Sequence, residues 1–331
     1  MESNKIIKLL LLLLVISCNA FAQYQNDVLG NGFEQHKILM PDDYEGKVVI
    51  TLVRKLQQQQ QQKKAVLYIH GFCDYFFQEE LAKEYLANGF DFYAIDLRKY
   101  GRSLLDHQIP NNCKNIQEYY ADIDTALAII QQEGHDSIQI NAHSTGGLIA
   151  LAYAQAHSQK ANGLYKLVLN SPFVDMNQSP FNEKIAIPMV SFLGRFFPNM
   201  KVPDGVSTLY GESIAKQYHG EWEYNLNWKP LVAFDVNAGW LHAIYHAQKR
   251  IQKNYQIKQE ILVCCSDHAT YEKVYSEKLQ KGDAVLSVKD IQEICGKFKS
   301  NVKIKIIPDG IHDLALSEKS TRSLYFQSIF E

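Results

Sequence analysis

The chain has 331 residues, 34 Lys and Arg against 36 Asp and Glu, and 46% hydrophobic residues. That length fits one large domain, or a domain carrying an inserted subdomain, and the apolar content supports a packed globular core. The near-neutral balance, with no long run of one sign, argues against a nucleic-acid surface.

The first 22 residues read as an export signal. Lys5 and Lys8 give a basic start, Leu9 to Ile16 is apolar but too short to span a bilayer, and Ala20-Phe21-Ala22 has the small-x-small form that leaves Gln23 as the first mature residue. The protein is therefore expected to be periplasmic or secreted. An overlapping lipobox, Val15-Ile16-Ser17-Cys18, offers a lipoprotein anchored at Cys18 as the alternative, and an uncleaved anchor is the third reading.

Val48 to Val53 predicts a strand, and the tract Gln57 to Gln62 with Lys63-Lys64 a solvated hairpin turn. Ala65 to Ile69 is a short apolar run entering His70-Gly71-Phe72. Gln78 to Leu86 has a helical pattern stopped by Asn88-Gly89, and Phe92 to Ile95 is a buried strand entering Asp96 to Ser103. Ile116, Tyr119, Tyr120, Ile123, Leu127 and Ile130 recur at helical spacing, with Asn115 and Glu118 as a capping pair and Gly134 as the stop. Ile138 to Asn141 runs through a small-residue turn into a helix from Leu148, and Tyr165 to Leu169 is the next strand. Strands alternating with helices predict an α/β fold around a mostly parallel sheet flanked by helices, with ligands beyond the carboxyl ends of the strands.

From Asp175 to Gln259 the alternation stops, broken by prolines and rich in aromatics, including Trp222, Trp228 and Trp240. This stretch reads as an inserted helical cap between a first core part, residues 23–174, and a second, residues 260–331. Its aromatics are expected to serve partly as the cap's own core and collectively to wall an apolar pocket. Glu260 to Cys265, Val288 to Phe298, Val302 to Ile307 and Ser317 to Phe330 complete the alternation.

Cys264 and Cys265 read as inert buried thiols. Cys73 and Cys113, in loops expected to follow adjacent strands, are a candidate disulfide pair in an oxidising compartment. The five cysteines left after export form neither a disulfide framework nor a zinc pattern.

The stretch Ala142-His143-Ser144-Thr145-Gly146-Gly147 is close to the nucleophile elbow of α/β-hydrolases, where a sharp strand-to-helix turn lifts a serine off the sheet. A serine hydroxyl needs a base, and the base an orienting acid. In that fold the chain order is Ser, Asp or Glu, then His after the last strand, which points to His312 in Ile311-His312-Asp313. Two carboxylates compete for the acid. Asp283 fits the layout of acid, two apolar residues, helix, strand and histidine. Asp267, directly after the preceding strand, is the alternative acid. Choosing Asp283 makes Thr270 to Lys281 an extra loop. The oxyanion donors expected are the amides of Phe72 and Thr145. Asp96, Arg98 and Arg102 read as a salt-bridged brace for a rim loop rather than a site for a substrate carboxylate.

Together, His70-Gly71-Phe72, Asp96 to Ser103, Ala142 to Gly147 and Ile311-His312-Asp313 resemble the monoacylglycerol lipase and lysophospholipase branch of α/β-hydrolases, also grouped with serine aminopeptidases. Tyr100 stands where that branch commonly has histidine, and Ala142 where it has glycine. The resemblance implies cofactor-free, metal-free hydrolysis through an acyl-enzyme on a small lipid-like ester, with peripheral membrane contact as one partner reading and the oligomeric state left open. Rival readings are an aminopeptidase, which would use cap carboxylates such as Glu212, Glu221 or Glu223 to hold an amine, and a non-catalytic binder on the same scaffold.

Overall fold

A computed structural model describes residues 24–57, 63–157, 163–202, 207–253 and 256–331. The signal segment, Cys18 and most of the glutamine tract lie outside them. Among the described residues no helix is long and apolar enough to cross a membrane.

Nine strands form one sheet: β1 (Gln25–Asn26), β2 (Glu34–Asp43), β3 (Gly46–Lys55), β4 (Lys64–Ile69), β5 (Asp91–Asp96), β6 (Ser137–His143), β7 (Leu164–Asn170), β8 (Glu260–Ser266) and β9 (Val302–Ile307). Their order is β1-β2-β3-β5-β4-β6-β7-β8-β9. The first three are antiparallel to their neighbours, and β5 to β9 run parallel. The helices that flank the sheet are α1 (Glu79–Ala87), α2 (Glu118–Gln132) and α3 (Thr145–Ala156), followed later by α7 (Val288–Cys295) and α8 (Lys319–Phe330). Between β7 and β8 lie α4 (Ile187–Gly194), α5 (Leu209–Ile214) and α6 (Ala238–Ile251).

The central strands are apolar on both sides because successive side chains feed two different cores. Leu67 and Ile69 of β4, and Ile138, Ile140 and Ala142 of β6, join the core that includes α2, α3 and α6. Val66 and Tyr68 face the other core, built with Leu81 and Tyr85 of α1 and Tyr325 and Ile329 of α8. On that second face β6 carries Gln139 and Asn141. Both are satisfied: their amide groups donate to the Tyr85 hydroxyl at 2.6 and 2.9 Å. The helix at 118 starts as its sequence implies, since Glu118 accepts from the Asn115 amide at 3.1 Å and Asn115 accepts from Gln117 at 3.0 Å.

One expectation changes, one strand is new, and one candidate pairing does not form. The glutamine tract cannot close a hairpin, because β3 and β4 are not neighbours; β5 lies between them and pairs with both. The β2 strand was not apparent in the sequence: it is half-exposed, interrupted by Pro41, and shifts register between Met40 and Asp43. Cys73 and Cys113 are both free and buried. The Cys73 thiol instead accepts from the Asn111 side chain and the Phe234 amide, each at 3.1 Å.

The rim cluster is a brace. Arg102 donates to both oxygens of Asp27, at 2.7 and 2.9 Å, and to Asp96 at 2.9 Å, while Arg98 pairs with Asp122 at 2.6 Å. All these groups are buried. Removing one partner of a buried pair leaves an uncompensated charge. Arg102→Met is therefore expected to lower unfolding free energy by about 3–5 kcal/mol, read by urea denaturation. Arg102→Met with Asp27→Leu should recover part of that loss.

Candidate active site

The chain leaves β4 in one direction to form β5 and returns on the other side to form β6. This is the kind of switch point at which a crevice opens above a parallel sheet. Ile69 pairs with Ala142 and His143 with Asn170, so the ends of β4, β6 and β7 stand level.

Ser144 sits between β6 and α3 at φ 51° and ψ −116°, a conformation costly for a residue with a side chain. It is held by the surrounding main chain: its N–H donates to Asn170 O at 2.9 Å, and its carbonyl accepts from Phe173 at 2.9 Å. The two small positions that follow are required by space. A Cβ at Gly146 would stand 2.4 Å from the His70 carbonyl oxygen, and one at Gly147 would stand 2.8 Å from Pro172. Ala142, fully buried, fits where the related pattern has glycine.

Three side chains that are distant in sequence meet here. His312 Nε2 lies 3.0 Å from Ser144 Oγ, and His312 Nδ1 lies 3.0 Å from Asp283 Oδ2. The other Asp283 oxygen accepts from the Val285 and Leu286 amides, both at 2.8 Å, which fixes the carboxylate plane. The imidazole is held between the rings of His143 and Tyr210, with centroids 4.8 and 5.6 Å away. Ser144, His312 and Asp283 are all buried.

Asp267 lies elsewhere. Its carboxylate is 40% exposed and accepts from His268 at 2.7 Å and from the Asp309 amide at 3.1 Å. The extra loop explains how Asp283 reaches the end of β8 although it is 16 residues further on than Asp267. The loop folds back so that the Asp283 N–H donates to His268 O at 2.9 Å, and its carbonyl accepts from Thr270 at 2.8 Å. Gly282, at φ 83°, allows this return, since a Cβ there would stand 2.3 Å from Thr270 Oγ1.

The loop after β4 approaches the elbow closely. A Cβ at Gly71 would be 3.0 Å from the His143 ring and 3.3 Å from Ser144 Cβ. His70 Nε2 accepts from the Leu97 amide at 3.1 Å, so its Nδ1 carries the proton and donates to Gly71 O at 2.8 Å. Among the described residues, neither the Phe72 nor the Thr145 amide donates to another protein group. For Thr145 this follows from its place at the start of a helix. The Phe72 ring lies 4.5 Å from that of Trp240.

A buried polar group behind Ser144 went unnoticed in the sequence. Asp74, His143 and Asp313 each bring one ligand-type atom within 4.8 Å of the others. Their valences are already engaged. Lys229 Nζ donates to Asp74 at 2.8 Å, and Asp313 accepts from Asn170 at 2.7 Å and Gln78 at 2.9 Å. Lys229 supplies the cation that a metal would otherwise supply. Burial works to raise the Asp74 pKa, but the Lys229 ammonium and the neighbouring histidines reverse that and hold it below the ordinary carboxylate value.

A model of the family described as "Serine aminopeptidase, S33" matches residues 60–320. No curated protein matches the chain in sequence. Among solved structures, it is similar to a soluble variant of monoglyceride lipase from Saccharomyces cerevisiae in complex with a substrate analog. That match has TM-score 0.63 and 17% identity over 93% of this chain and 92% of the other. A thermostable carboxyl esterase from Bacillus coagulans in complex with glycerol matches with TM-score 0.63 and 16% identity over 89% and 96%. A monoacylglycerol lipase from Paleococcus ferrophilus gives 0.59 and 16% over 89% and 96%. At these identities the structural matches speak to the fold.

Burial holds the His143 imidazole at a pKa of about 4, against an ordinary 6.5, with His312 reinforcing it and Asp313 opposing. Above pH 6.5 the ring is neutral in both native and unfolded chains. Between 6.5 and 4 only the unfolded chain takes up the proton, so stability falls with pH. Over that range the wild type is expected to lose about 3 kcal/mol more than His143→Gln, measured by urea unfolding at pH 7 and pH 4.

Proposed function

From a chain that belongs to the serine aminopeptidase S33 family of α/β-hydrolases, we propose a serine hydrolase that cleaves carboxylic esters of lysophospholipid or monoacylglycerol type through an acyl-enzyme. The observation that carries this reading is the unbroken hydrogen-bonded path from Ser144 through His312 to Asp283 at the carboxyl rim of the sheet.

In the proposed reaction, His312 Nε2 takes the hydroxyl proton as Ser144 Oγ attacks the ester carbon, and Asp283 holds the protonated Nδ1 in place. The Phe72 and Thr145 amides receive the oxyanion. Collapse breaks the bond to the alcohol, which leaves with the proton from Nε2. A water then gives its proton to His312 and attacks the acyl carbon, and Ser144 departs with that proton restored. Asp283 is chosen over Asp267 because only Asp283 is hydrogen-bonded to the imidazole.

Two observations support a lipid-like ester over a peptide. The carboxylates that an aminopeptidase would need already have partners: Glu212 is bonded by Thr208, Glu221 by Arg322 and Glu223 by Lys216. The segment between β7 and β8, which we read as a cap, also turns a large apolar ridge outward. Phe181, Met189, Phe192, Phe196 and Phe197 are each about 60% exposed. Of these, Phe192, Phe196 and Phe197 were among the aromatics expected to serve partly as the cap's own core. Instead α4 packs on α6 through its small face, where a Cβ at Gly194 would stand 2.1 Å from the Ala238 carbonyl oxygen, and the aromatic face is left outside. Patches of this kind mark interaction surfaces. A lipid surface fits it as the source of an acyl ester, and Lys184 and Arg195 lie in the same stretch of sequence. The expected location after export agrees with this reading.

Ser144→Ala is expected to lower turnover of a short-chain p-nitrophenyl ester by about 10⁴-fold or more and to abolish fluorophosphonate labelling. Retained turnover would refute the nucleophile. Asp283→Asn should cost roughly 10³–10⁴-fold and Asp267→Asn at most about threefold, with equal or reversed losses moving the acid. Met189→Glu with Phe192→Glu should reduce sedimentation with phosphatidylglycerol vesicles by about tenfold while leaving hydrolysis of the soluble ester unchanged. Unaltered vesicle binding would remove the ridge from the reading.

A further inference from the structure

Asn170, the last residue of β7, is fully buried, and its two halves face different loops. Its carbonyl oxygen accepts from the Ser144 N–H at 2.9 Å and from His143 Nδ1 at 3.3 Å. Its side chain grips the turn after His312: Nδ2 donates to Asp313 Oδ1 at 2.7 Å, and Oδ1 accepts from the Leu314 amide at 3.1 Å. The residue that follows, Ser171, is at φ 46°, so the chain turns away at once after Asn170 has met both loops.

We propose that Asn170 is a positioning residue, which holds the Ser144 turn by its main chain and the His312 loop by its side chain and so sets the approach of Nε2 to Oγ. The proposal rests on the reading of Ser144 and His312 as nucleophile and base.

The side chain at 170 is suited to this in a way few others are. Asp313 is a buried carboxylate that accepts from three neutral donors, Asn170, Gln78 and the Ala315 amide at 3.1 Å. Its backbone N–H is also taken, by the Tyr210 hydroxyl at 3.1 Å. With its neighbours on both sides fixed, the loop has one orientation in which His312 faces Ser144. An amide satisfies both Asp313, which needs a donor, and Leu314, which needs an acceptor. A carboxylate at 170 would keep the second bond and set two negative oxygens against each other at the first. A hydrogen bond to a charged group is worth more than a neutral one, so the Asp313 contact dominates the grip.

The test uses the full mature protein, with Asn170→Ala, Asn170→Ser and Asn170→Asp. The folded fraction comes from circular dichroism and urea midpoints, and kcat and KM from p-nitrophenyl butyrate. In folded Asn170→Ala, or in the milder Asn170→Ser, kcat per folded molecule is expected to fall ten- to a hundredfold with KM within threefold. Asn170→Asp should fall further. The proposal is overturned by kcat per folded molecule within twofold of wild type across the series, by losses that only track the folded fraction, or by an Asn170→Asp variant no slower per folded molecule than Asn170→Ala. Ser144→Ala run alongside separates the levels: activity in that variant defeats the hydrolase reading, whereas an inactive Ser144→Ala with an unaffected Asn170 series defeats only the role of Asn170.

Discussion

The site depends on one main-chain contact, the approach of the first turn of α3 to the end of β4. Nothing larger than hydrogen fits at Gly146 against the carbonyls of Ile69 and His70. This closeness forces the chain to reverse within a single residue, so Ser144 takes a backbone conformation that no regular element would give it. The same contact brings the loop 70–72 over the serine and leaves the Thr145 amide, at a helix start, with no protein partner among the described residues. The turn at Ser144 and the placement of the Phe72 and Thr145 amides are therefore consequences of one steric requirement.

Strain at Ser144 and at Ser171, both non-glycine residues at positive φ, has to be sustained by what surrounds them. The surrounding elements are unusually polar for a buried region. Arg102 ties Asp27 and Asp96 to the loop before it, Lys229 ties the segment after β7 to Asp74, and Asp313 gathers Gln78 and Asn170. Buried ion pairs add little net stability over well-packed apolar residues. Their value lies in direction: each fixes a loop in one orientation, which hydrophobic contact alone does not do.

Much of this was legible in the sequence because it rests on local pattern. Apolar runs of strand length gave β4 to β9, spacing gave α2, and the small residues around Ser144 gave the elbow. Chain order then pointed to His312, and the layout of acid, helix, strand and histidine to Asp283 over Asp267; the structure sets His312 Nε2 3.0 Å from Ser144 Oγ and Asp283 3.0 Å from His312 Nδ1. What was hidden depends on packing. β2 was missed because it is half-exposed and broken by a proline. The glutamine tract misled because strands consecutive in sequence are not adjacent in the sheet. Asp74, Lys229 and Asn170 carry no motif. Their importance comes from contacts distant in the chain: Asp74 meets Lys229 across 155 residues, and Asn170 meets Asp313 across 143.

The same reasoning divides the segment between β7 and β8 into two unlike parts. The later part is pinned to the core around the site: Tyr210 to the Asp313 amide, Trp222 to the Leu316 carbonyl, Asn225 to the Tyr75 hydroxyl, Lys229 to Asp74 and the Phe234 amide to Cys73. Its aromatics are drawn inward, with Trp228 edge-on to Tyr75 and Trp240 against Phe72. The earlier part keeps its small residues for α6 and its large ones for the outside. A helix whose apolar residues merely lacked a core would rotate to bury them. This one cannot, because Gly194 admits no side chain against Ala238 and Ser191 is bonded to His242. The exposed aromatic face is thus imposed by the packing of α4 on α6, and through Trp240 of α6 it is mechanically continuous with Phe72 at the rim where Ser144 stands.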